Sequence, residues 1–342
     1  MPKQVNADNA VKRIREELVA GGTLSLGTLA DTLALDDFTE VYRLADQVNE
    51  EVNHGVVRIR AILEFSNVCR RQCRYCGLNC ENKKLERYQM GEDEMVQTTL
   101  AAYRAGYQTI VLQSGEDPYY DKEMIGRVIR EIKARCGISI TLSLGERTKE
   151  EYAYWKECGA DRYLLKHETS DPEIYAALHP CGTLENRIQC LRWIKELGYE
   201  TGSGFMIGLP GQTCDTIAGD ILLLRELSCD MAGIGPFIAH PDTALKDQPN
   251  GSTELTKRAV ALSRILMPHL HLPATTALGV LSQGEKSDVF SCGADVVMRK
   301  VTPGAYRRLY EIYPSGLGLD DDIVKGRMEL EDAIRQLGKQ PL

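Results

Sequence analysis

No stretch of this 342-residue chain approaches the ~18 consecutive apolar residues that a helix needs to cross a bilayer. A membrane span is therefore not expected. Positive charge is not in excess either. The chain has 41 Lys and Arg against 49 Asp and Glu, a net charge of −8. Nonspecific nucleic-acid binding needs a broad positive surface, so that function class is set aside. The segment Met1–Ala7 lacks an apolar signal core, which points to a cytoplasmic protein. No low-complexity linker divides the chain, and no motif-level repeat appears beyond a strand–helix period. A disulfide framework is also missing. Seven of the eleven cysteines, Cys136, Cys158, Cys181, Cys190, Cys214, Cys229 and Cys292, are scattered, and the total is odd. They read as small buried hydrophobes in a reducing compartment.

Hydrophobic content of 43% and charged content of 26% suit a globular core. Residues 1–54 read as a helical extension, with apolar residues at helical spacing over Val11–Leu18 and Phe38–Val52. A strand, Val56–Phe65, follows. Strands then alternate with helices. The expected strands are Thr109–Gln113, Ile138–Ser143, Arg162–Leu165, Thr201–Ile207, Met231–Gly235, His271–Thr275 and Ala294–Met298. The expected helices are Glu92–Ala105, Lys122–Arg135, Lys149–Cys158, Leu184–Leu197, Thr216–Leu227 and Glu254–Leu266. About eight units over roughly 250 residues predict an α/β fold, a (β/α)8 TIM barrel over 55–313. A short helical tail over 314–342 completes the chain. A doubly wound open sheet is the competing architecture. In a barrel the active site lies at the C-terminal strand ends. Here those ends carry a cysteine loop, Ser114–Asp117, Ser143–Gly145, Lys166–Thr169, Gly208–Gly211, His240–Thr243 and Thr275–Thr276.

The cysteine loop is the most specific signal. Cys69, Cys73 and Cys76 form C-x3-C-x2-C in Phe65–Leu78, just past the first strand. Thiolate is the preferred ligand for iron–sulfur clusters. Three close cysteines can hold three irons of a cubane and leave the fourth iron open for a substrate or second cofactor. Tyr75, between the last two, is an aromatic able to flank the cluster and an adenine. Two other readings use Cys80 as a fourth ligand: a tetrahedral zinc staple, or a closed cluster in an electron carrier.

The loop resembles the signature of radical S-adenosylmethionine (SAM) enzymes. Over Val56–Tyr313 the chain further resembles the HydE family of FeFe-hydrogenase maturases. The matching runs are Ile62–Cys69, Thr109–Tyr119, Thr141–Glu146, Gly159–Leu165, His167–Thr169, Gly208–Thr213, Gly233–Phe237, His240–Thr243 and Pro273–Thr276. The resemblance implies one 4Fe-4S cluster on Cys69, Cys73 and Cys76, and reductive cleavage of SAM to methionine and a 5′-deoxyadenosyl radical. It assigns Ser114, Gly115 and Glu116 to the cofactor's amino group, Glu168 to a second acidic contact and Arg187 to the methionyl carboxylate, where a guanidinium fork fits. Gly208 and Leu209, in Gly208–Gly211, would let backbone approach the adenosine. For each of these a solvated loop, ion pair or plain turn is the bland alternative. The implied substrate is an iron–cysteine complex with carbonyl and cyanide ligands, in a pocket lined by Arg162, Thr141, Met231, Thr275, Thr276, Tyr306 and Arg307. The implied partners are a ferredoxin or flavodoxin electron donor and other hydrogenase maturases. Arg70, Arg71 and Arg74 are a solvated face or a receiver for an acidic donor.

The chain departs from the family pattern in two places. No cysteine follows Cys292, so a C-terminal accessory cluster is not expected, and Lys166 stands where the family can have Arg. Methylornithine synthase, a lysine mutase, shares the general pattern and is the alternative. The inner strands carry no cysteine, which argues against the sulfur insertion of biotin synthase.

Overall fold

The computed structural model describes residues 7–281, 288–314 and 322–342. Its centre is eight parallel strands. They are β1 (Val56–Ser66), β2 (Thr109–Ser114), β3 (Ser139–Ser143), β4 (Arg162–Leu164), β5 (Glu200–Ser203), β6 (Met231–Ala232), β7 (Pro273–Ala274) and β8 (Val296–Lys300). The sheet order is β6-β5-β4-β3-β2-β1-β8-β7. The seam between β6 and β7 is bridged at Met231 and His271, with Ala232 N donating to His271 O at 2.9 Å. A doubly wound sheet would reverse its order at a switch point. This one follows the chain around and nearly closes, as the barrel reading expects. At the seam, buried Asp295 accepts from Arg264 (2.9 Å), His271 (2.7 Å) and Leu272 N (2.7 Å), so a satisfied polar knot stands where ladder bonds are few.

Local chemistry sets the helices of the outer ring. Asp121 caps Lys122–Arg135 by accepting from Met124 N at 2.8 Å. Thr148 and Glu151 form a capping box at the start of Lys149–Cys158, and Gly159 (φ +111) ends it. Leu26–Leu33 falls within the expected helical extension, whereas the short helices Pro172–Leu178, Thr276–Leu281 and Gly304–Arg307 escaped the sequence reading. The extension helices lie against the barrel's outer helices. Tyr42 donates to Glu254 at 3.0 Å, and Arg258 to Leu33 O at 3.0 Å.

Two expectations change. The strand read as Thr201–Ile207 is broken. After Ser203 the chain turns through Gly204 (φ +147), where a Cβ would lie 2.2 Å from Gly233 O. Met206–Ile207 then pairs with Gly235–Pro236 in a separate ladder beyond the barrel. The tail is more than a helix. Ile323–Gln336 is helical, but Gln340–Pro341 pairs in parallel with Val56–Val57 at the N-terminal end of β1. Residues 315–321 of the expected tail lie outside the described residues.

Candidate active site

Residues 67–88 form a loop held by side chains reaching its own carbonyls. Asn67, fully buried, donates to Glu86 O (2.8 Å) and Leu309 O (2.7 Å) and accepts from Tyr88 N (2.8 Å). Arg87 donates to Asn67 O, Leu78 O, Asn79 O and Asn82 O at 2.6–3.1 Å. Neither residue was singled out in the sequence, because their partners are set by the loop's path and not by spacing. Two glycines let neighbours close in. A Cβ at Gly115 would lie 2.1 Å from Val68 O and 2.8 Å from Cys69 Cβ. One at Gly77 would meet Glu311 O at 2.3 Å and His240 Nε2 at 2.5 Å.

Cys69, Cys73 and Cys76 are half-buried on this loop. Burial pushes the Cys69 thiol up and Cys73 up to about 12, and it holds Cys76 well above the usual range. The three also raise one another: Cys69 acts on Cys73, and both act on Cys76. Backbone N–H groups of Arg71 (3.5 Å) and Glu116 (3.4 Å) point at Cys69 Sγ. Three cysteines on one short loop are a thiolate donor set that fits an iron–sulfur cluster, whose positive charge would take the place of their protons. Among the described residues no three His, Cys, Asp or Glu side chains converge as a single-ion site would require.

A belt of ion pairs fastens the loop to the barrel. Glu116 Oε1 accepts from Arg70 (2.7 Å) and Arg71 (2.8 Å), and Oε2 accepts from Glu146 N (3.0 Å). Glu146 bonds to Arg71 (2.9 Å), Arg187 (2.6 Å) and Asn186 (2.6 Å). Arg187 and Arg71 hold its carboxyl below the usual range despite burial. Glu116 thus anchors the cysteine loop to the barrel through both of its carboxylate oxygens. Ser114 donates to Gly115 O at 2.6 Å. Arg187 is buried, with Nε on Glu146 and Nη1 on Lys166 O at 2.5 Å. It is the cation that most lowers the Cys73 thiol.

A cavity of about 250 Å3 opens inside this ring. Tyr75, Lys166, Glu168, Thr275 and Thr276 line it. Lys166 Nζ lies 3.0 Å from Glu168. Gly208 and Leu209 sit just beyond, where Leu209 packs in an apolar cluster with Met206 and Phe237 that Tyr75 joins. The Tyr75 hydroxyl bonds to His179 Nε2 at 3.2 Å. The cavity also holds an ion pair that sequence reasoning missed: Lys300 Nζ with buried Glu64 at 2.9 Å.

Five of the seven expected pocket residues do not line this cavity. Arg162 opens β4, the end away from the mouth, pairing with Glu200 and donating to Thr109 Oγ1 at 3.2 Å. Thr141 is buried at mid-strand. Met231 starts β6, and its sulfur accepts from Arg60 at 3.4 Å. Tyr306 stacks on Tyr88 and donates to Glu94 (3.1 Å). Arg307 donates to Thr302 O, bracing the chain after β8. Depth along the strand separates Arg162, Thr141 and Met231 from Thr275 and Thr276, whereas Tyr306 and Arg307 lie on the short helix Gly304–Arg307 after β8.

Residues 63–224 match the model of the radical SAM superfamily. The [FeFe] hydrogenase maturase subunit HydE of Thermotoga maritima is 50% identical over 289 residues, 84% of this chain and 83% of that one. The 3-methylornithine synthase of Methanosarcina acetivorans is 27% identical over 80% of this chain and 79% of its own. Among solved structures, methylornithine synthase superposes with a TM-score of 0.84 at 23% identity, covering 96% of this chain and 97% of that one, a likeness of fold.

Proposed function

The chain belongs to the HydE family of FeFe-hydrogenase maturases within the radical SAM superfamily, and on that footing we propose how its site works. Cys69, Cys73 and Cys76 would hold one 4Fe-4S cluster, with one iron left for SAM. When bound, the cluster supplies the electron that splits the SAM sulfonium into methionine and a 5′-deoxyadenosyl radical. The chain's own residues position and exclude. Tyr75 stands between the cysteines and the cavity and offers its ring face to the adenine. The backbone of Gly208 and Leu209 flanks the adenosine. Glu168 faces an ammonium or ribose hydroxyl, and Arg187 adds positive charge beside Cys73. The apolar walls keep water from the radical carbon, and the ring fixes its reach.

The substrate we assign is an iron–cysteine complex with carbonyl and cyanide ligands, a precursor of the hydrogenase two-iron subcluster. Thr275, Thr276 and Lys166 are its nearest polar contacts. A ferredoxin or flavodoxin would supply the electron, and other maturases the precursor. The observation that carries this reading is continuity: one cavity runs from Tyr75 of the cysteine loop to Thr275 and Thr276 inside the barrel. No helix among the described residues is long and apolar enough to cross a membrane.

Anaerobic reconstitution with iron and sulfide, then reduction with SAM present, tests it. 5′-Deoxyadenosine should appear above background, survive Cys80→Ser and vanish in Cys73→Ser. A reconstituted cluster that releases none contradicts the reading.

A further inference from the structure

Two cavity-side segments come from different parts of the chain, and both hold uncommon backbone. Glu168, after β4, has φ +67, rare for a residue other than glycine. Gly208 has φ +91 and crosses Gly251 so closely that a Cβ would lie 2.4 Å from its Cα. Conformations of this kind persist only where surrounding contacts fix them.

One buried carboxylate reaches both. Asp220 lies on the outer helix Cys214–Glu226, is fully buried, and is not among the cavity-lining residues. Its Oδ1 accepts the Ser170 backbone N–H and lies 3.8 Å from His167 Nε2. The Thr169 and Ser170 side chains also hydrogen-bond to it. Its Oδ2 faces the Gln212 amide at 3.5 Å. Gln212 in turn fills the glycine turn. Its Oε1 accepts from Gly208 N (2.7 Å) and Leu209 N (3.3 Å), and its Nε2 donates to Met206 O (2.8 Å). The carboxylate thus touches the Glu168 segment directly and the Gly208 turn through one amide. An amphipathic helix gains nothing from a carboxylate on its buried face. Burial pushes Asp220 up to about 7, so the charged form is disfavoured there.

We propose that Asp220, with Gln212, is a positioning residue that locks the Glu168 strand end and the Gly208 turn in mutual register and so sets the affinity for SAM without touching it. This rests on the reading that those two segments contact SAM. Once they are locked, SAM need not order them on binding, which removes an entropic cost from the association.

The test is a SAM titration of the reduced, reconstituted enzyme, followed by the change in the cluster's electron paramagnetic resonance spectrum, with melting temperature recorded for every variant. Asp220→Ala and Gln212→Ala should each raise Kd roughly tenfold, about 1.4 kcal/mol. Asp220→Asn keeps an acceptor for Ser170 N but turns an amide donor toward Gln212 Nε2, so its Kd should fall between those of wild type and Asp220→Ala. A merely structural Asp220 would lower the melting temperature and leave Kd in place. Unchanged Kd in Asp220→Ala and Gln212→Ala, beside a raised Kd in Glu168→Gln, overturns the lock. Unchanged Kd in Glu168→Gln as well overturns the underlying contact assignment instead. Where Asp220→Ala does not fold, Gln212→Ala decides.

Discussion

Gly115→Ala isolates the packing of the cysteine loop from its chemistry. The added methyl would sit 2.1 Å from Val68 O and 2.8 Å from Cys69 Cβ. Both obstacles belong to the loop, and the first is backbone, so no side-chain rotation relieves the clash. Val68 must retreat by about 1 Å or more to reach ordinary contact. Val68 is bonded to Cys69, and the Glu116 N–H that points at Cys69 Sγ at 3.4 Å lies next to Gly115. The shift therefore reaches the first cysteine directly. Overpacking of this kind costs about 1–3 kcal/mol. For a chain of 342 residues the unfolding entropy near the midpoint is about 0.7 kcal/mol per degree, so the melting temperature should fall by roughly 1–4 °C. The effect on cluster loading should be larger, because sites displaced by about 1 Å lose function out of proportion to stability. Iron per chain after reconstitution should drop by about half or more. Gly137→Ala is the control, since a Cβ there meets nothing within 4 Å. Full iron loading and an unshifted melting temperature in Gly115→Ala would refute the argument that loop and strand end are in obligate contact.

Arg87→Ala removes the donors from four loop carbonyls and should destabilise by about 3 kcal/mol or more, read as a lower urea midpoint with faster iron loss to a chelator. Glu146→Ala leaves buried Arg187 without its carboxylate. It should cost about 3–5 kcal/mol in urea unfolding, and a change below about 1 kcal/mol would remove the pair from the account. Asp220 ionises at about 7 in the folded chain against 3.8 for the free side chain. Its folded value is raised, so its contribution is full below about 4 and is lost as pH rises through about 7. Wild-type stability relative to Asp220→Asn should therefore fall across that window, by at most about 4 kcal/mol. Parallel melting curves for the two proteins over pH 4–8 would show that Asp220 does not titrate in that way.

Elements with strong local signals were legible in the sequence. Lys122–Arg135 and Lys149–Cys158 were read with their true bounds, because Asp121, Thr148 and Gly159 mark the ends chemically. Pro172–Leu178, only seven residues long, left too few turns for a periodic pattern. The break at Gly204 was hidden because the residues on either side remain strand-like, while the cause, close passage of Gly233, is tertiary. Tyr75 of the cysteine loop and Glu168 line one cavity, since strand ends in a barrel share one mouth. Depth was not legible. Arg162 and Met231 face the far end of their strands, and pattern alone does not say how far a short strand reaches. The fastening residues Glu146 and Arg87 were missed for a related reason. Their partners, Arg71 and Arg187 for one and four loop carbonyls for the other, become neighbours only after folding.

The most direct test is Mössbauer spectroscopy of the enzyme reconstituted with labelled iron, with and without SAM. The account predicts a four-iron cluster in which one iron differs from the other three and alone shifts when SAM is added. Four irons with uniform sulfur ligation, unchanged by SAM, would contradict it.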